Sequence, residues 1–290
     1  GNWSFTTAAL AEGDPVISAS QTDIAGNVSA ASPPLTMTID TLVAPPAIVT
    51  VSDDTGLSSS DRITHDNTLT LTGTAENGAL VTILIDGTVI GSAIADGSGN
   101  WSFTTAAQSD GDKSITVRQT DVAGNTSAAS LPIVVTIDTQ IAAPIIESVG
   151  TDTGASSTDK ITSDATLEIQ GTAESGATVF VTVNNVVVGS VVADTNGQWR
   201  FTTTALNDGE KIISVTQTDV AGNASAPSLE YKMTVDTTVS PPTIDNVGTD
   251  TGVVGDRITA DNTLFIQGSA EPGALVDDRM HDLRVVDDEN

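Results

Sequence analysis

Apolar and polar residues alternate along this chain in short bursts separated by turn-forming stretches. In residues 43–140 the bursts fall at 46–51; at 68–73, with Leu69 and Leu71 on one face; at 81–85, with Val81, Ile83 and Ile85; and at 89–95. They continue at 101–105, with Trp101 and Phe103; at 115–119, with Ile115 and Val117; and at 133–137, with Ile133, Val135 and Ile137. A period of two over five to seven residues marks a strand with one buried face, and the Gly, Asn, Asp and Pro between bursts mark turns. Seven such strands predict two sheets packed face to face. Trp101 and Phe103 are the largest apolar groups and share a face, which places them in the inter-sheet core rather than on an exposed sugar-stacking platform.

The pattern recurs with a period of 98 residues. GNWSFTT at 1–7 returns at 99–105 and as GQWRFTT at 197–203, so Trp3, Trp101 and Trp199 hold one position seen three times; QTDIAGN at 21–27 returns as QTDVAGN at 119–125 and 217–223. A period near 100 is too long for a solenoid unit of about 20–50 residues, so each unit is expected to be a domain of its own. The expected fold is all-β: tandem immunoglobulin-like (Ig-like) Greek-key sandwiches with seven strands per complete repeat, arranged as an elongated rod, with another Greek-key sandwich as the alternative. Residues 1–42 read as the later part of one repeat, 43–140 and 141–238 as complete repeats, and 239–276 as the opening of a fourth. The joins read TIDTLVAPPAI, TIDTQIAAPII and TVDTTVSPPTI, where prolines stiffen a short linker. Residues 277–290 leave the pattern and are expected to be disordered, as a frame change, a cloning scar or a chain end would be.

Composition adds a partner. The chain carries 38 acidic residues against 10 basic ones, a net charge of -28. Such a field repels nucleic acid and anionic membrane surfaces and attracts cations. Cysteine is absent, which removes disulfides, thiolate metal sites and a cysteine nucleophile. No apolar run approaches the roughly 18–20 residues of a membrane helix, so no membrane insertion is expected of this segment. An exported domain of this size without disulfides invites another staple, and bound Ca2+ is the structural cofactor expected here.

If the strands are lettered A to G, loops AB, CD and EF gather at one pole and BC, DE and FG at the other. AB carries Asp54 and Asp61, matched by Asp152 and Asp159; the chain leaves strand G at that pole through Asp40, Asp138 and their equivalents. BC carries Glu76 or Glu174, DE carries Asp96 or Asp194, and FG carries Asp121 with Asn125 or Asp219 with Asn223. Head-to-tail stacking brings the AB pole of one repeat against the BC, DE and FG pole of the next, where facing carboxylates require a cation. Calcium suits that demand, because it accepts six to eight oxygens in irregular geometry. These fourteen residues are the candidate metal ligands. The alternative is that the Asp residues are turn formers, which Asp favours unaided. The AGN of the FG loop predicts a tight turn with Gly26, Gly124 and Gly222 at positive φ.

No catalytic constellation emerges. His65 aligns with Ser163 and Ala260, and His281 lies outside the repeats, so neither histidine belongs to a repeated site. Carboxylate pairs recur in every unit, which suits structure better than glycoside hydrolysis. No enzyme activity is expected.

WSFTT, the QTDxAGN turn, VTIDT, the AP-containing linker and GTAExGA together resemble the bacterial Ig-like repeats of very large, type I-secreted, biofilm-associated surface adhesins, from residue 1 to about 276. The resemblance implies an extracellular, cell-surface extender that spaces an adhesive tip from the cell, with calcium stiffening its domain junctions. It points to Asp138, Asp152, Asp159, Glu174, Asp194, Asp219 and Asn223 at the central junction. The partners it implies are neighbouring repeats of the same polypeptide, with a host or surface ligand engaged through other parts of the parent protein. Two other classes stay open: an Ig-like module that itself grips a glycan or host protein, and an accessory domain of a secreted polysaccharide-degrading enzyme.

Overall fold

The computed structural model describes residues 1–51, 53–154, 156–248 and 250–277; the disorder expected of 277–290 falls, but for Asp277, outside them. Residues 1–42 hold two strands, β1 (Val16–Ile17) paired antiparallel with β2 (Leu35–Thr36). Next come β3 (Ala47–Val51), β4 (Ile63–Thr64), β5 (Thr70–Thr74), β6 (Leu80–Ile85), β7 (Thr88–Ile94), β8 (Asn100–Thr104), β9 (Gly111–Thr120) and β10 (Ile133–Ile137). The same order repeats as β11 (Ile145–Val149), β12 (Ile161–Thr162), β13 (Glu168–Thr172), β14 (Thr178–Val183), β15 (Val186–Val192), β16 (Gln198–Thr202), β17 (Gly209–Thr218) and β18 (Tyr231–Val235). A last pair, β19 (Thr243–Val247) and β20 (Ile266–Ser269), is antiparallel.

In residues 43–140 one sheet has the order β3-β5-β8 and the other β4-β10-β9-β6-β7; residues 141–238 reproduce both. The seven segments read from the sequence are present. The two-residue β4 is additional: after β3 the chain crosses to the second sheet and pairs parallel with the end of β10, Thr136↔Ile63 and Ile137↔Thr64. That crossing covers an otherwise open edge. It also ties the AB loop to the pole where the chain leaves β10.

The inward positions are those of the period-two pattern. Leu69, Leu71, Val81, Ile83, Ile115, Val117, Val135 and Ile137 form one core with Trp101, and Leu167, Ile169, Val179, Val181, Ile213, Val215, Met233 and Val235 form the next with Trp199. Trp101 pairs with Gly73 across β8 and β5, and a Cβ at Gly73 would lie 2.0 Å from the Ala47 carbonyl oxygen and 2.5 Å from the indole. The glycine is the recess that admits the ring. Phe103 is only partly buried, because it lies over Gly91 of edge strand β7 and closes the side of the sandwich instead of filling its centre. Trp3 departs from the expected core role. It is 78% exposed, since residues 1–42 contain no counterpart of β5 for its segment to pair with.

Candidate cation site at the junction of two repeats

β17 and its neighbours set the two poles. Asp219 follows the Thr218 end of β17, whereas β12 and the AB loop attach to β18 beside the Gly209 end, about 30 Å away at the usual rise per residue. Glu174 lies at the same end as Asp219, because its backbone N–H donates to Gln217 Oε1 at 2.8 Å. Asp138 arrives from the preceding repeat: its N–H donates to the Thr64 carbonyl at 2.9 Å, and its own carbonyl accepts Asn223 Nδ2 at 2.7 Å. One residue thus hangs from both sandwiches.

Ligand atoms of Asp138, Glu174 and Asp219 all lie within 4.8 Å of one another, and among the described residues this is the one such group of three. Asp219 is 1% exposed and its carboxylate is held by the N–H groups of Gly222 and Asn223 and by Asn223 Nδ2, at 2.7–2.8 Å. With about four lone-pair positions on a carboxylate, that leaves it one position for a cation. Asn223 has its amide nitrogen committed to Asp138 and Asp219, so only its oxygen is available as a ligand. Asp138 accepts one N–H, from Gln140 at 3.2 Å. Glu174 is solvent-exposed as a residue, yet desolvation of its carboxyl, followed by the charges of Asp138 and Asp219, raises its pKa above the ordinary 4.5. The donor set is all oxygen and mostly anionic, which fits a hard divalent ion such as calcium.

A raised carboxyl pKa opposes folding once the group ionises. The favourable contribution is complete below the ordinary Glu value and is lost as pH rises through the raised one. In chelator, the melting temperature of residues 141–238 should therefore climb as pH is lowered from neutral towards the ordinary Glu value. Glu174→Gln should flatten that slope, as calorimetry would show. Asp121, Asp164 and Asp208 act in a lower window: hydrogen bonds from Asn125, Thr166 and Thr237 hold their carboxyls below the ordinary range, so their contribution is lost only as pH falls further.

The other candidates are placed differently. Asp152 and Asp159 do not join the central junction, and that expectation is corrected: they sit on the loop after β11, at the far pole of their own repeat, where they accept the N–H groups of Lys160 and Ile161. Asp54 and Asp61 lie on the near pole but serve their own loop, accepting from Arg62 and Ile63. One oxygen of Asp54, Asp152 and Asp250 is buried without a donor. Asp96 and Asp194 accept N–H groups of Ser98 and Asn100, or Asn196 and Gln198, which makes them formers of the turn before strand E. At the first linker the same backbone cradle exists, with Asn125 Nδ2 donating to the Asp40 carbonyl at 3.0 Å and to Asp121. There Glu76 accepts the Ala44 N–H at 3.3 Å instead of completing a trio. Gly26, Gly124 and Gly222 have φ of 88°, 95° and 96°, as the turn requires.

A second set of junction contacts was not legible as functional. Thr55 Oγ1 donates to the Ala221 carbonyl at 2.9 Å, His65 Nδ1 lies 2.9 Å from the same oxygen, and Leu57 N–H donates to the Val220 carbonyl at 3.2 Å. The signal available was the Asp-Thr-Gly at 54–56, repeated at 152–154 and 250–252.

A family model described as "Bacterial Ig-like domain" matches residues 1–41, 42–139 and 140–237. The chain belongs to the bacterial Ig-like domain family. Bacterial Ig-like repeats therefore account for all but the last 53 residues of the chain. Among solved structures it is similar to one described as "Structural insight into host cell surface retention of a 1.5-MDa bacterial ice-binding adhesin" at 22% identity, covering 74% of this chain and 71% of that one with a TM-score of 0.36. It is similar to a "tetra-tandem repeat in extending region of large adhesion protein" at 20% identity, covering 90% and 71% with a TM-score of 0.32. A "Biofilm associated protein - BSP domain" matches at 20% identity, covering 69% of this chain but 30% of that chain, with a TM-score of 0.24. No curated protein matches the sequence. Among the described residues no helix is long and apolar enough to cross a membrane.

Proposed function

We propose that this chain is a non-enzymatic extender segment of a bacterial cell-surface adhesin, projecting an adhesive tip for attachment and biofilm formation, and that Ca2+ stiffens its repeat junctions. The observation that carries the reading is the meeting of Asp138, on the linker, with Glu174 and Asp219 of the following repeat. Facing carboxylates a few ångströms apart cost about 1 kcal/mol per pair in water and about 4 kcal/mol at the effective dielectric of a protein surface. Among the described residues no basic side chain pairs with these carboxylates: the one ion pair there is Arg200 with Glu168, on an exposed strand face. Asp138, Glu174, Asp219 and Asn223 would hold the ion, which when bound supplies positive charge and shared ligation across the linker.

Each repeat of this kind adds about 30–40 Å of length, so reach grows with copy number and is useful only if the joints resist bending. Extracellular modules bind calcium with Kd around 10⁻⁴–10⁻³ M, so the joints are pliable before export and stiff outside. Small-angle scattering of the chain tests this. The maximum dimension should increase from chelator to about 1 mM calcium, and an unchanged profile removes the stiffening.

A further inference from the structure

The FG turn of residues 219–223 is covered by the preceding repeat, and the same turn elsewhere is bare. Ala221 is 1% exposed and Val220 half-buried, whereas in the identical Asp-Val-Ala-Gly-Asn of residues 121–125 the equivalent Ala123 is exposed and Val122 81% exposed, and in the first copy Ala25 and Ile24 are both exposed. What covers Ala221 is the Thr55-Gly56-Leu57 segment with His65. Two side-chain contacts to the Ala221 carbonyl and one N–H to the Val220 carbonyl draw the turn into the loop. Gly56 is the floor of the socket: its φ is +99°, and a Cβ there would lie 2.1 Å from the Val220 carbonyl oxygen.

The socket is built whether or not it is filled. Thr55 Oγ1 accepts the His65 N–H at 2.8 Å, and Thr153 and Thr251 accept the N–H groups of Ser163 and Ala260 at 2.7 Å. Gly154 and Gly252 have φ of 106° and 91°, and nothing lies within 4 Å of a Cβ built on either. Three copies therefore share one preformed loop, and the occupied one shows its ligand.

From this we infer that the Asp-Thr-Gly loop is a docking socket for the Asp-Val-Ala-Gly-Asn turn of the next bacterial Ig-like repeat, a protein-only coupler that works without a cation. Its contacts are carbonyl oxygens and N–H or hydroxyl donors, none of them a carboxylate. It lies beside the acidic trio on the same FG turn, so the two devices act on one joint through different atoms. The sockets at residues 152–154 and 250–252 and the bare turn at 121–125 take the matching element of a flanking complete repeat. Histidine occurs in one socket only, which makes the joint between 43–140 and 141–238 the most fully bonded.

The absence of native cysteine permits the test in the whole chain. Spin labels on Val89→Cys and Val187→Cys, exposed and equivalent residues of β7 and β15, report the distribution of distances between the two repeats. In excess chelator, where no ion stiffens the joint, the parent distribution should still be the narrower one, and Gly56→Val or Ala221→Glu should at least double its width. Ala123→Glu, the same change in the same turn where no socket covers it, should leave it unaltered, which separates undocking from damage to the turn. Equal widths for the parent, G56V and A221E in chelator would overturn the coupler. That result would leave the calcium response, read separately by adding the ion, untouched.

Discussion

Replacing Trp199 by alanine should cost residues 141–238 about 3–5 kcal/mol, the usual penalty for emptying an aromatic site in a core. The indole is 4% exposed and rests in the recess at Gly171, where a Cβ would lie 2.9 Å from the ring, so nothing nearby is shaped to fill the space it leaves. Its N–H has no acceptor, which indicates that volume rather than hydrogen bonding fixes this residue. Against a typical domain stability of about 5–15 kcal/mol, the loss approaches unfolding of that repeat alone. Hydrogen exchange should show β13, β14, β16 and β17 losing protection while β5, β6, β8 and β9 keep theirs. Loss spread equally over both repeats would mean that they fold as one unit.

Asp138→Asn combined with Glu174→Gln should act in opposite directions with and without calcium. Two of the three carboxylates at the joint disappear, so calcium affinity, measured by titration calorimetry, should fall at least about a hundredfold, equivalent to about 3 kcal/mol. In chelator the same variant should melt above the parent, because the desolvated Glu174 charge, and with it the repulsion from Asp138 and Asp219, is gone. Asp152→Asn with Asp159→Asn should leave this joint's affinity unchanged, since those residues occupy the opposite pole. Unaltered calcium binding in the first variant would place the ion elsewhere and remove the stiffening mechanism.

How the repeats fold was largely written in the chain. Leu69, Leu71, Val81, Ile83, Ile115 and Val117 announce their faces through a period of two, because in a sandwich burial follows the pleat of a single strand. Phe103 shows the limit of that rule: its parity is that of Trp101, but its position along β8 puts it at the rim beside Gly91. The two-residue β4 had no periodicity to reveal it, being too short to show one.

The site was legible in kind but not in membership. Fourteen acidic and amide positions marked the loops, yet Asp54, Asp96 and Asp194 spend their oxygens on their own turns, as Asp does without any ligand. His65, set aside because the other copies have Ser163 and Ala260, proved to touch the next repeat.

The sequence alone determined the strand faces, the 98-residue period, the acidic excess and the turn glycines, because each depends on residues close together in the chain or on simple counts. The folded structure alone decided that Asp138 meets Glu174 and Asp219 while Asp152 does not, and that Gly56 seats the turn carrying Ala221. Those pairings span tens to more than a hundred and fifty residues. They depend on which pole each loop reaches and on how one sandwich is set on the next, and no local pattern of residues encodes either.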